Sequence, residues 1–336
     1  MRSTSRSLSK ALEPAWLEAA STSSSTAFLS IDCSSQIEAC QKRDPVSSSS
    51  IQLFKGESSI ATYQGPRRAS GITSWIDRAL RPSVNELSIE SADFFENIDE
   101  TVFIARIPLG GGASRLAVEE VARKYTREFT FGILGVSEHQ DLDQDMPVIK
   151  CYRPLDNDVK SHTGPFDTAS LETFVKEASR PIIGELLPGN HQRFLDRGWP
   201  MVYVFAATER DRAELRETLK KMARSYYDSL TMVTVDPLDF PELPEKLGLD
   251  PGSFPAGAVH QLSTDRIYRY PKGQPITANA LQKWGLDVWQ GRVRPWNPSG
   301  STAVPETETQ GRIKASRKIS IKSYPGIKVN IGRDEL

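Results

Sequence analysis

Apolar and polar positions along this chain follow two different periods. Short runs rich in β-branched and aromatic residues predict strands at Phe28 to Cys33, Ile51 to Phe54, Phe129 to Val136, Met146 to Tyr152, Leu230 to Asp236 and Phe254 to Val259. Between them, apolar residues recur three and four positions apart. Leu116, Val118, Val121, Ala122 and Tyr125 mark a helix within Leu116 to Phe129, and Leu215, Leu219, Met222 and Tyr226 mark another within Arg210 to Tyr227. Helical stretches also close each group of strands, at Arg68 to Leu80, Thr168 to Ala178 and Thr277 to Gly291.

The plan recurs about every 100 residues, and strands alternating with helices at that period predict consecutive α/β domains rather than a solenoid. The expected units are 1–82, 83–180 and 181–297, followed by a tail, 298–336. The 336 residues suffice for that organisation. A formal net charge of −1 gives no electrostatic case for nucleic acid. No segment approaches the roughly 18 apolar residues of a bilayer span, so no membrane insertion is expected. Cysteines stand at Cys33, Cys40 and Cys151 and histidines at His139, His162, His191 and His260. No Cys-x-x-Cys pair and no zinc-like cluster occurs, so no metal and no cofactor are expected.

Three local features invite chemistry and are read as ordinary structure. Gly110-Gly111-Gly112 lies between a strand and a helix but lacks the Lys-Ser/Thr of a phosphate loop. Glu138 to Asp145 is acidic but lacks the glycine and terminal glutamate of a calcium loop. Cys151 falls on a strand expected to be buried, where a thiol is inert.

A proline that opens a strand directly after an apolar or aromatic residue, as in Met146-Pro147 and Phe254-Pro255, resembles the cis-proline of thioredoxin folds. Lys10 to Trp16, Phe28 to Cys33, Leu53-Phe54-Lys55-Gly56 and Tyr63-Gln64-Gly65-Pro66-Arg67 resemble a catalytic domain of the protein disulfide isomerase family downstream of its active site. Residues from about 85 resemble that family's first non-catalytic domain, and Pro181-Ile182-Ile183-Gly184-Glu185 onwards its second. The resemblance implies tandem thioredoxin-like domains, each a mixed sheet flanked by helices, with cis-prolines at Pro147 and Pro255.

The same resemblance exposes departures. Family chemistry needs two thiols two residues apart at a helix N-terminus, where the first attacks as thiolate. Arg6-Ser7-Leu8-Ser9 occupies that motif here, with Arg6 and Ser9 at the two cysteine positions, so dithiol exchange is not expected. About five residues precede it where roughly 25 are needed for a strand, helix and strand. Asp44 to Ser50 replaces the first unit's aromatic-proline pair with serines. The first domain is therefore expected to be incomplete and to fold poorly alone. The resemblance also implies a structural disulfide between Cys33 and Cys40, a spacing shared with some fungal relatives; two unpaired thiols remain the alternative.

Arg333-Asp334-Glu335-Leu336 resembles a C-terminal retrieval signal of the endoplasmic reticulum, an address read by a receptor. The opposite terminus, Met1 to Lys10, is polar and basic and lacks the apolar core of a secretory signal. The expectation is a lumenal protein whose sequence is incomplete at its start; a complete chain would be cytoplasmic. Val304 to Gly311 resembles the family's acidic linker, and the tail is expected to be disordered.

In the family, the second non-catalytic domain carries an apolar site for unfolded polypeptides. Tyr203, Phe205, Val233, Val235, Phe240 and Phe254 are the candidates here, although strands alternate faces and half of these side chains should be core. The resulting expectation is a redox-silent, chaperone-like protein whose partners are unfolded or partly folded secretory polypeptides and the retrieval receptor. Two alternatives stay open: an active isomerase if the gene product carries the redox motif, and a non-catalytic scaffold subunit for a partner enzyme.

Overall fold

The computed structural model describes residues 2–23, 26–32, 35–38, 51–56, 58–136 and 146–297. Cys33, Cys40, Asp44 to Ser50, the acidic loop at 138–145 and the tail with Arg333, Asp334, Glu335 and Leu336 lie outside the described residues.

The first module joins helix α1 (Arg2–Thr22) and helix α2 (Ala69–Leu80) to an antiparallel hairpin, β1 (Gln52–Lys55) and β2 (Ser58–Thr62). Ala15 and Ala19 of α1 meet Ile51, Leu53, Ile72, Trp75 and Ile76 in a small core. Phe28 to Asp32 has no regular structure, contrary to the strand expected there. A strand needs a ladder partner, and Phe28 instead packs its ring on Trp16, with centroids 4.7 Å apart, while Leu29 is exposed. The positions Arg6 to Ser9 fall in the body of α1 rather than at its N-terminus.

The middle module contains β3 (Asn85–Leu87), α3 (Ile89–Phe95), β4 (Val102–Pro108), α4 (Gly112–Tyr125), β5 (Thr130–Val136), β6 (Val148–Arg153), β7 (Asp158–His162) and α5 (Thr168–Ala178). Its sheet order is β3-β5-β4-β6-β7, with β3, β5 and β4 parallel and β6 and β7 antiparallel to their neighbours. Period-two alternation divides β4 between two cores. Phe103, Ala105 and Ile107 face α4 and α5, against Val118, Val121, Leu171 and Val175, whereas Val102 and Ile104 pack against Phe95 and Leu87.

The last module repeats that order. It contains β8 (Gly184–Leu186), α6 (His191–Leu195), β9 (Met201–Phe205), α7 (Glu209–Ser225), β10 (Thr231–Val235), α8 (Leu243–Lys246), β11 (Ala256–Gln261), β12 (Arg266–Arg269) and α9 (Ala278–Trp289). The sheet runs β8-β10-β9-β11-β12. Val202, Val204 and Met232 face α7 and α9, and Met201, Tyr203, Phe205, Val233 and Val235 face the opposite layer with Phe194, Leu247 and Leu249. Every residue of β9 and β10 is buried, as expected for central parallel strands covered on both faces.

That burial corrects the functional expectation for four residues. Tyr203, Phe205, Val233 and Val235 are core side chains with no surface to offer a polypeptide, because α6, α8 and the loops around them close the second face of the sheet. Pro147 is also corrected. The cis bond found among the described residues is Phe254–Pro255, and Met146–Pro147 is not cis. Phe254 stacks on Phe205 with centroids 6.1 Å apart, whereas Met146 is 64% exposed.

Candidate functional site

The strands β8, β9 and β10 all run toward one end of the last sheet, where β11 begins beside Phe205. Open α/β sheets place their crevices outside these carboxyl ends. Pro255 lies here, immediately before Ala256, which pairs with Phe205. A cleft of about 270 Å³ opens beside it, lined among others by Leu249, Ser253, Pro255, Tyr270 and Lys272. Phe254 and Phe240 are half-buried at the same end, and Phe240 meets the ring of His191 edge-on at 5.9 Å. Burial lowers the pKa of that imidazole and favours its neutral form.

The polar half of this sheet end is an ion network. Asp236 follows β10 directly and is almost completely buried. Arg212 reaches it from α7 at 2.8 Å and donates a second hydrogen bond to the carbonyl of Ala206 at 3.0 Å. Leu238 N–H donates to the same carboxylate at 2.9 Å. Glu209 pairs with Arg212 at 3.1 Å and with Arg216 at 2.8 Å.

Two further arginines arrive from the first module. Arg67 contacts Asp236 and Asp239, both at 2.5 Å. Arg68 pairs with Glu185 of β8 and, at 2.6 Å, with Glu100 of the middle module. One corner, Pro66 to Arg68, therefore ties all three modules together, and Arg78–Asp99 at 2.6 Å adds a second tie from α2. Burial pushes the Asp239 and Glu185 carboxyls up, opposed by Arg67 and by Arg68 respectively. Burial pulls the other way on Arg67 and Arg68, yet the acids raise both above the usual arginine value, so both stay charged.

The local sequence explains why the corner exists. Tyr63 donates its hydroxyl to the carbonyl of Pro66 at 2.6 Å and packs edge-on against Trp75. Its side chain crosses Gly65 and Gly71 so closely that a Cβ would fall 2.6 Å from a ring carbon at Gly65 and 2.6 Å from the hydroxyl oxygen at Gly71. The tyrosine and the two glycines thus fold the Tyr63 to Arg67 motif into a tight corner that projects both guanidinium groups. Sequence reasoning quoted this motif but did not foresee its partners.

Cys151 is buried on β6, and burial pushes its thiol up to about 12. A thiol so shifted holds almost no thiolate at neutral pH and is a poor nucleophile. Among the described residues no group of three or more His, Cys, Asp or Glu side chains is placed to hold a metal, and no helix is long and apolar enough to cross a membrane.

With two five-stranded sheets of this order and a cis-proline beside the central strand, the chain belongs to the thioredoxin-like domain family, whose model matches residues 116–285. Over most of its length it is similar, more particularly, to protein disulfide isomerases. It is 26% identical to a protein disulfide-isomerase of Humicola insolens over 97% of this chain and 64% of that protein, and 26% identical to one of Aspergillus niger over 97% and 63%. The chain thus spans just under two thirds of the length of these relatives. Among solved structures, it resembles the bb fragment of ERp72 with a TM-score of 0.49 and 15% identity, covering 64% of this chain and all of the fragment.

Proposed function

We propose that this polypeptide is a non-catalytic, chaperone-like member of the family that holds unfolded or partly folded chains at the carboxyl end of its last sheet. The observation that carries this reading is the cleft beside Pro255, with Phe254 and Phe240 half-buried at its end of the module. The lining mixes apolar Leu249, Pro255 and Ala256 with polar Asp250, Ser253, Arg269 and Lys272, so a client would be held by both apolar and polar contacts. The domain boundaries near 82, 180 and 297 belong to the proposal, as do a lumenal location in the endoplasmic reticulum and retrieval through Arg333 to Leu336.

Thiol–disulfide exchange would require a Cys-x-x-Cys pair, which these 336 residues do not contain, and Cys151 is held too basic and too buried to substitute for one. The test pairs two assays on the same preparation. Light scattering of a denatured, reduced client on dilution should fall at near-equimolar protein, while insulin reduction by dithiothreitol should proceed at its uncatalysed rate. Full client aggregation at a tenfold excess of this protein would overturn the binding reading, and accelerated insulin reduction would overturn the redox-silent one.

A further inference from the structure

The opposite end of the last sheet carries a different charge pattern. Arg180, Arg193 and Arg197 line one small cavity together with Pro181, Ile182, Phe194 and Thr231. The arginines of the domain junction described above each face carboxylates. Here Arg193 finds only the exposed Glu128, at 3.5 Å, and neither Arg180 nor Arg197 has a carboxylate in ion-pair contact among the described residues. Arg193 also donates to Ser179, and Arg197 donates to the carbonyl of Tyr227 at 2.9 Å and lies flat on Trp199. The Nε groups of Arg180 and Arg197 are buried without an acceptor.

A second observation points at the same spot. Thr231 opens β10, is 95% removed from solvent, and its hydroxyl is buried without a partner while the residue lines this cavity. Its backbone N–H is already spent on the carbonyl of Pro200 at 2.9 Å. Buried donors are ordinarily matched. A cavity that gathers unmatched donors of one sign within apolar walls lacks an acceptor carrying negative charge. Burial lowers the pKa of Arg197, with Arg180 adding to it and Tyr227, Asp228 and Glu177 opposing it; for Arg193, burial outweighs the support of Glu128.

Size restricts the ligand. The cavity volume is about 10 Å³, close to the room of a single water-sized sphere. We propose that this cavity, between the linker at Arg180 and the start of β10, is a binding site for a small monovalent inorganic anion of the chloride type, held by Arg180, Arg193, Arg197 and the Thr231 hydroxyl. The anion joins the segment leaving the middle module to the last module, because Arg180 belongs to the former and Thr231 to the latter. The space suits a small spherical anion better than a tetrahedral oxyanion or a peptide carboxylate.

Chloride itself is the probe. Melting of the full chain is compared in sodium chloride and sodium gluconate at equal ionic strength, with chloride-35 NMR line broadening as the direct readout of binding. Chloride at about ten times its dissociation constant should raise the melting temperature by about 2–4 °C over gluconate. Thr231→Val keeps the side-chain shape and removes the donor, and Arg180→Gln removes one charge. Both should weaken chloride binding at least tenfold while leaving a folded protein in gluconate. Equal melting in the two salts, or undiminished broadening in both folded variants, would refute the site. Sulfate that displaces chloride mole for mole would show that the cavity admits larger oxyanions and would overturn the assignment to a single small sphere.

Discussion

The middle and last modules share one sheet order yet differ at the end of the sheet where thioredoxin-like crevices form. In the last module Phe254 is anchored on Phe205, Pro255 is cis, and a cleft lies alongside. In the middle module Met146 projects into solvent ahead of Pro147, and Leu109 and Leu116 are likewise exposed. Among the described residues the two modules therefore share the frame, whereas the aromatic–cis-proline arrangement is found only in the last one. Interior burial builds the frame, whereas the crevice depends on a few side chains that each module chooses for itself.

If the frames are equivalent, their centres should fail alike. Phe205→Ala in the last module and Phe103→Ala in the middle one each empty a fully buried position, and each should cost about 3–5 kcal/mol. Urea unfolding followed by hydrogen exchange resolved to each sheet is the measurement. A loss below about 1 kcal/mol at either site would show that the two cores are not comparable.

The modules differ next in what holds them to the first one. Arg67 enters an almost buried pair of acids in the last module, and Arg68 divides between Glu185 there and Glu100 of the middle module. Removing one partner of a buried pair strands the other. Arg67→Ala should cost about 3 kcal/mol at the last module, and the less enclosed Arg68→Ala should cost less. The readout is amide exchange in α2 and the β1–β2 hairpin, which should accelerate while β4 and β5 stay protected. Unchanged exchange in α2 would mean that the corner does not anchor the first module.

These contacts mark the boundary of what the sequence discloses. Periodicity located α5 and the buried face of α7, where Leu219 and Met222 are core. It misplaced Leu116, which sits one turn inside α4 but on its open side, because a helix four turns long offers more apolar residues than the sheet can cover. The family resemblance offered Tyr203, Phe205, Val233 and Val235 as candidates with half of them expected in the core; all four are core, because alternation cannot show that a second layer of helices and loops lies over the other face. The pairing of Arg67 with Asp236 spans about 170 residues and leaves no local pattern, so no reading of spacing could have found it. Tyr63 and Gly65 were visible in a motif, but their purpose depends on a tyrosine side chain lying across Gly65 and Gly71.

At the crevices the modules should respond unequally to truncation. Phe254→Ala removes a ring stacked on Phe205 and should cost about 1–2 kcal/mol and weaken client capture, whereas Met146→Ala, largely in solvent, should stay within about 0.5 kcal/mol. Equal losses at the two positions would indicate that the middle module hides a packed crevice of its own.

The smallest difference concerns acid. In the middle module α4 and α5 are stapled by Glu172, which accepts from Lys124, from Lys176 at 3.1 Å and from the Tyr125 hydroxyl at 3.0 Å. In the last module the corresponding helices α7 and α9 are joined by a neutral bond, Gln282 donating to the Tyr226 hydroxyl at 3.0 Å. The hydrogen bond from Lys124, then those from Lys176 and Tyr125, hold the Glu172 carboxyl down at about 2. A carboxyl depressed on folding contributes stability that is fully present above its unfolded value, near pH 4.3, and is lost as pH falls toward about 2. Solvent screens the site, so the contribution is about 0.5 kcal/mol. Between pH 4.5 and 2, amide protection in α4 and α5 should therefore fall slightly faster than in α7 and α9. Glu172→Gln should abolish that excess, because the amide keeps the shape and cannot titrate; an excess that survives the substitution would assign the acid sensitivity to another carboxylate of the middle module.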